Sequence, residues 1–125
     1  RYLEAKERYL VGSEHWADST ARAFLMLVQG ECAAVAKPEW WNDEGLKAMS
    51  ARVVRAKPDD VVANRMRARV LWGQIPAWEA GSRSAAELRE AALHFDRAEA
   101  LSHAPAAKAD FADAAEQCRR DAEAM

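Results

Sequence analysis

Twice in this chain, twenty residues apart, a helical-looking run is cut by nearly the same four residues: AKPE at 36–39 and AKPD at 56–59. Proline disfavours helical geometry in the residue before it and has no N–H for a helical hydrogen bond. A lysine at the end of one helix and an acid at the start of the next both suit the helix dipole. A chain that alternates helix, Lys-Pro-acid, helix is thereby confined to short helices turned back on one another.

The rest of the composition agrees. Isoleucine and threonine occur once each, and five Gly and four Pro are few for a turn-rich β protein. Strong helix formers fill the remainder, so the expected class is all-α. At 125 residues the chain is read as one helical-repeat domain, 1–125, and as part of a longer chain because it begins at Arg1. No run approaches the ~20 apolar residues of a membrane span.

Six helices are predicted. The first covers Tyr2 to Val11, and the second runs from Glu14 to Ala36 with Ala17, Ala21, Phe24, Val28 and Cys32 on its apolar stripe. The third starts at the N-cap Asn42 and turns Leu46, Met49, Ser50 and Val53 inward. Pro58 closes it. The fourth starts near Asp59 or Asp60, buries Val62, Ala63, Met66 and Val70, and stops at Gly73. Residues 74–83 carry the Pro and Gly of a loop. Ser84 and Glu87 form a capping box for the fifth helix, and Pro105 fits the first turn of the sixth. Ala107, Phe111, Cys118, Ala122 and Met125 would face its core. Short connections make successive helices antiparallel.

Residues 91–102, AALHFDRAEALS, resemble the second helix of a tetratricopeptide repeat, with Ala91, Phe95, Ala98 and Leu101 at the family's small, aromatic, small and apolar positions. AKPDDVVA, residues 56–63, is similar to the junction between two such repeats. The pattern departs from the family at Asn64, where a large aromatic is usual, at Arg67 in place of leucine, and in the long loop 74–83. The resemblance implies a short solenoid of antiparallel hairpins whose concave surface binds peptides or proteins, and no catalysis.

The residues themselves point to no enzyme and no cofactor. His15, His94 and His103 have no metal-ligand spacing, the serines carry no nucleophile motif, and no glycine-rich loop cradles phosphate. Cys32 and Cys118 lack a CxxC and sit on apolar stripes, which suits a reducing intracellular compartment. Net charge is −2, but Lys47 to Arg69 carries seven Lys or Arg against two Asp, whereas Ala86 to Met125 carries nine acids against five bases. Arg65 and Arg69 share a helix face while Arg67 points elsewhere. The resemblance implies a further candidate set, since Asn64, Arg65 and Arg69 are similar to the asparagine and basic side chains with which some tetratricopeptide proteins hold an acidic partner segment. The competing explanation is internal pairing with the acidic C-terminal helices. No repeated basic–aromatic pattern supports nucleic acid. Of the five tryptophans, Trp78 and one of Trp40 and Trp41 are candidates for burial against a partner. The expected function is a protein–protein interaction module. The alternative is a structural or assembly subunit of a larger complex, including an organellar one.

Overall fold

The computed structural model describes residues 13–28, 39–74 and 78–125. The predicted helix 2–11, the extension of the second helix to Ala36, and Cys32 lie outside the described residues. Among the described residues there are five helices and no strand: α1 (Glu14–Val28), α2 (Asp43–Ala56), α3 (Val61–Trp72), α4 (Ala85–Leu101) and α5 (Pro105–Glu123).

Four of the five helices begin at a side-chain cap, and α5 begins at Pro105 with no side-chain cap. Ser13 Oγ accepts from the Trp16 amide at 3.1 Å, and Asn42 Oδ1 accepts from the Gly45 amide at 2.8 Å. Asp60 accepts from Ala63, and the Ser84–Glu87 box is closed in both directions. These side chains satisfy amides that the first turn leaves unpaired. Gly45 answers a spatial need, since a Cβ there would lie 2.4 Å from the Trp40 carbonyl oxygen. Gly73 ends α3 in the left-handed region at φ 71°, which favours glycine.

Successive helices are antiparallel. Lys57 at the end of α2 reaches Asp18 near the start of α1 at 4.0 Å, and Phe24 near the end of α1 packs on Trp41 just before α2. Asn64 and His94, then Arg67 and Glu90, pair α3 with α4 in opposite directions. α1 also packs on α3, two helices further along.

Two hydrophobic cores lie on opposite sides of α3. Ala63, Met66 and Val70 join Trp16, Phe24 and Leu46 in the first. Ala68 and Leu71 join Ala91, Phe95, Phe111 and Cys118 in the second. The predicted inner face of the third helix, Leu46, Met49, Ser50 and Val53, is the buried face of α2. Met125 differs from expectation: it lies past the end of α5 and is 68% exposed.

Candidate partner-binding face

α3 presents four faces, and its side chains sort between them by helical spacing. Two faces feed the two cores. A third faces α2 and α4 and carries Arg67, whose Nη1 donates to the Lys47 carbonyl at 2.8 Å and Ser50 Oγ at 3.1 Å. The same guanidinium meets Glu90 Oε2 at 3.1 Å. The fourth face carries Arg65 and Arg69, one turn apart.

These two arginines differ from the other half-buried ones. Arg67 is paired with Glu90, and Arg83 with Asp43 at 2.6 Å. Arg65 and Arg69 are half-buried, and among the described residues no carboxylate or carbonyl accepts from either. Burial, and then the like charge of Arg65, disfavour the protonated form of Arg69 and push its pKa down. Water is partly removed and no internal anion replaces it.

Internal pairing of the basic segment with the acidic helices is realised at Lys47 with Glu87, 2.7 Å, and at Arg67 with Glu90, but not at Arg65 or Arg69. Arg119 pairs with Asp96, and Arg120 with Glu116. Asp121 accepts from Trp72 Nε1 at 3.3 Å and from Gln117 at 2.9 Å, so both its oxygens are engaged. Trp72, three residues beyond Arg69, opens onto a groove of about 620 Å³ shared with Gly73, Leu88, Gln117 and Met125.

The structure corrects the proposed role of Asn64. It is fully buried and cannot share a ligand with Arg65 and Arg69. Its Nδ2 donates to the carbonyls of Pro58 and Asp60, both at 2.9 Å, and its Oδ1 lies 2.9 Å from His94 Nδ1. With both amide protons committed to carbonyls, Oδ1 is the acceptor and His94 Nδ1 carries the proton. The place that the resemblance gives to a large aromatic is here filled by a buried polar pair joining two helices.

Burial is the main reason that the His94 pKa is lowered. Glu90 opposes this, while Arg97 and Arg67 reinforce it. The imidazole therefore folds neutral, and the unfolded chain binds the extra proton. Its contribution to stability is complete above the ordinary histidine pKa of about 6.5 and declines as pH falls below it, by at most about 1.4 kcal/mol per pH unit. Urea melts between pH 7.5 and 5 should show this slope, and His94→Asn, which retains a donor for Asn64, should flatten it. Equal slopes in both proteins would assign the dependence to another group.

Trp78 also departs from expectation. Trp78 is only 8% exposed and belongs to the first core, with Nε1 donating to Asp43 at 3.1 Å. Trp40 and Trp41 both pack partly buried against that core, their ring centroids 5.9 Å apart. The Trp41 ring meets Trp78 at 6.0 Å and Phe24 at 5.7 Å. Trp40 and Trp41 both keep part of their surface exposed.

Other reactive groups are structural. Cys118 is a buried free thiol, pushed up to about 12 chiefly by burial. His15 and His103 are exposed. Among the described residues no three His, Cys, Asp or Glu are grouped to hold a metal ion, and no helix is long and apolar enough to cross a membrane. The chain matches no family model, no curated protein and no solved structure.

Proposed function

We propose that the chain is a non-catalytic, tetratricopeptide-like helical module whose α3 edge receives an acidic segment of a partner protein. The observation that carries this reading is the Arg65–Arg69 pair: two half-buried arginines, one turn apart, with no internal counter-charge among the described residues. The repeat-like character draws support from the antiparallel hairpins, from α1 lying on α3, and from Phe95 buried between Ala91 and Ala98. The groove at Trp72, three residues beyond Arg69, is large enough for a side chain of a bound segment.

A self-contained module is favoured over a permanently covered subunit. Among the described residues the exposed large apolar side chains are Leu93 and Met125. A fixed neighbour would cover an apolar patch of several hundred Å², to which these two side chains alone do not amount.

Reversing the charge with Arg65→Glu and Arg69→Glu together tests the reading. Partner capture, measured by quantitative mass spectrometry of pull-downs at two salt concentrations, should fall strongly. Native capture should itself weaken with salt, because exposed charges are screened over about 8–10 Å at physiological ionic strength. Helicity and melting temperature should remain near native, since neither arginine holds the fold together. An unchanged set of captured partners rejects the edge as the binding face.

A further inference from the structure

Of the eleven arginines at described positions, four are half-buried: Arg65, Arg67, Arg69 and Arg83. Where the fold itself supplies the acceptor, it supplies a full set. Arg67 has a carboxylate, a carbonyl and a hydroxyl. Arg83 has both oxygens of Asp43 and the carbonyls of Val70, Leu71 and Gly81. Arg65 and Arg69 have none of these, and the charge of Arg65 adds to the cost of charging Arg69.

We infer that the occupant of the Arg65–Arg69 edge is a phosphomonoester dianion, as carried by a phosphorylated Ser, Thr or Tyr of the partner segment. This rests on the reading of that edge as the partner-binding face. Side chains four residues apart on a helix have Cβ atoms about 5–6 Å apart, close enough for both guanidiniums to converge on one anion. The pair carries two positive charges. One carboxylate cancels a single charge and offers two oxygens, which one planar fork already saturates. A phosphomonoester carries about −1.5 to −2 charge near neutral pH and offers three acceptor oxygens, enough for two forks at once.

Arginine is also the apt residue, because its rigid donor geometry matches phosphate where lysine is a point charge. Both oxygens of Asp121, on the groove lined by Trp72, are held by Trp72 and Gln117.

The test follows the arginine Nε–Hε NMR signals of the whole chain during titration with phenyl phosphate, phenyl sulfate and benzoate at matched ionic strength and pH 7.5. The sulfate ester has the phosphate's shape with one charge; benzoate has a carboxylate on the same ring. Phenyl phosphate should shift the Arg65 and Arg69 signals saturably and bind at least tenfold more tightly than either comparator. Its affinity should fall as pH drops through about 6, where the second phosphate charge is lost. Arg69→Lys, which keeps charge but loses the fork, should weaken it at least fivefold. Arg89→Gln, at an exposed position, should leave it unchanged.

If benzoate binds Arg65 and Arg69 as tightly as phenyl phosphate, the dianion is overturned while the acidic-partner reading stands. If phenyl phosphate leaves both signals unmoved, or binds equally well to a folded Arg65→Gln/Arg69→Gln variant, the proposal falls. Loss of charge-dependent partner capture in the pull-down is then the separate test of the broader reading.

Discussion

Phe95→Ala is expected to lower the unfolding free energy by about 3–5 kcal/mol, the range for removing a buried aromatic ring. The ring is 3% exposed at the centre of the second core. It meets Trp72 edge-on at 5.6 Å and Phe111 at 6.4 Å. Its other neighbours in that core include Ala91, Ala98 and Ala115. Methyl groups fixed to helix backbones cannot swing into the space left behind, so the cavity persists. Its cost adds to the lost transfer free energy. The measurement is the shift of the urea midpoint at constant m. A loss below about 1 kcal/mol would mean that the ring does not organise the α3–α4–α5 packing.

Asp43→Ala is expected to cost about 3 kcal/mol or more. The carboxylate accepts from Arg83 at 2.6 and 2.9 Å, from Trp78 Nε1 at 3.1 Å and from the Gly81 amide at 3.2 Å. Arg83, its side chain 6% exposed, also donates to the carbonyls of Val70 and Leu71 at the end of α3. Truncating Asp43 strands a buried charge and an indole N–H, which is the costly way to break such a pair. Pairing the change with Arg83→Met should recover much of the loss, because an apolar replacement of both partners is often nearly neutral.

The same group sets a pH dependence. The Arg83 hydrogen bond, opposed by burial and assisted by Trp78, Gly81 and the Arg83 charge, holds the Asp43 carboxyl well below its usual range. Glu87 is lowered as well, first by its bond to Lys47 and then by the Ser84 amide. Both groups stabilise the fold fully above the ordinary carboxylate pKa of about 4, and the contribution is lost as pH falls from there. Denaturant melts from pH 5 to 2 should show a shallower decline in Asp43→Ala than in the native chain. An identical decline would show that Asp43 is not a principal acid-sensitive contact.

Helix boundaries were legible because capping is local. Asn42, Ser84 with Glu87, Pro105 and Gly73 each act within one turn of their own position. The Arg65–Arg69 pair was legible for the same reason, since four-residue spacing places both on one face. What the sequence hid are contacts between polar residues far apart in the chain. Nothing near Arg83 announces a carboxylate 40 residues earlier, or that a loop arginine closes the end of α3. The Pro and Gly of residues 74–83 spoke for a loop, and the anchor on Asp43 is what takes Trp78 into the core. Asn64 is the instructive miss. The resemblance expects a large aromatic at its place, and its partner His94 lies 30 residues on.

α3 supplies side chains to both cores, so neither half of the protein has a boundary wholly its own. In stacked helical proteins, stability divides into terms for each unit and for each junction between neighbours. Here one helix belongs to two of those terms simultaneously. Fraying at α1 can proceed without disturbing α5, whereas loss of α3 dissolves both cores together. The unpaired arginines sit on that shared helix. A ligand that neutralises them would tighten the one element on which the cooperativity of the whole stack depends.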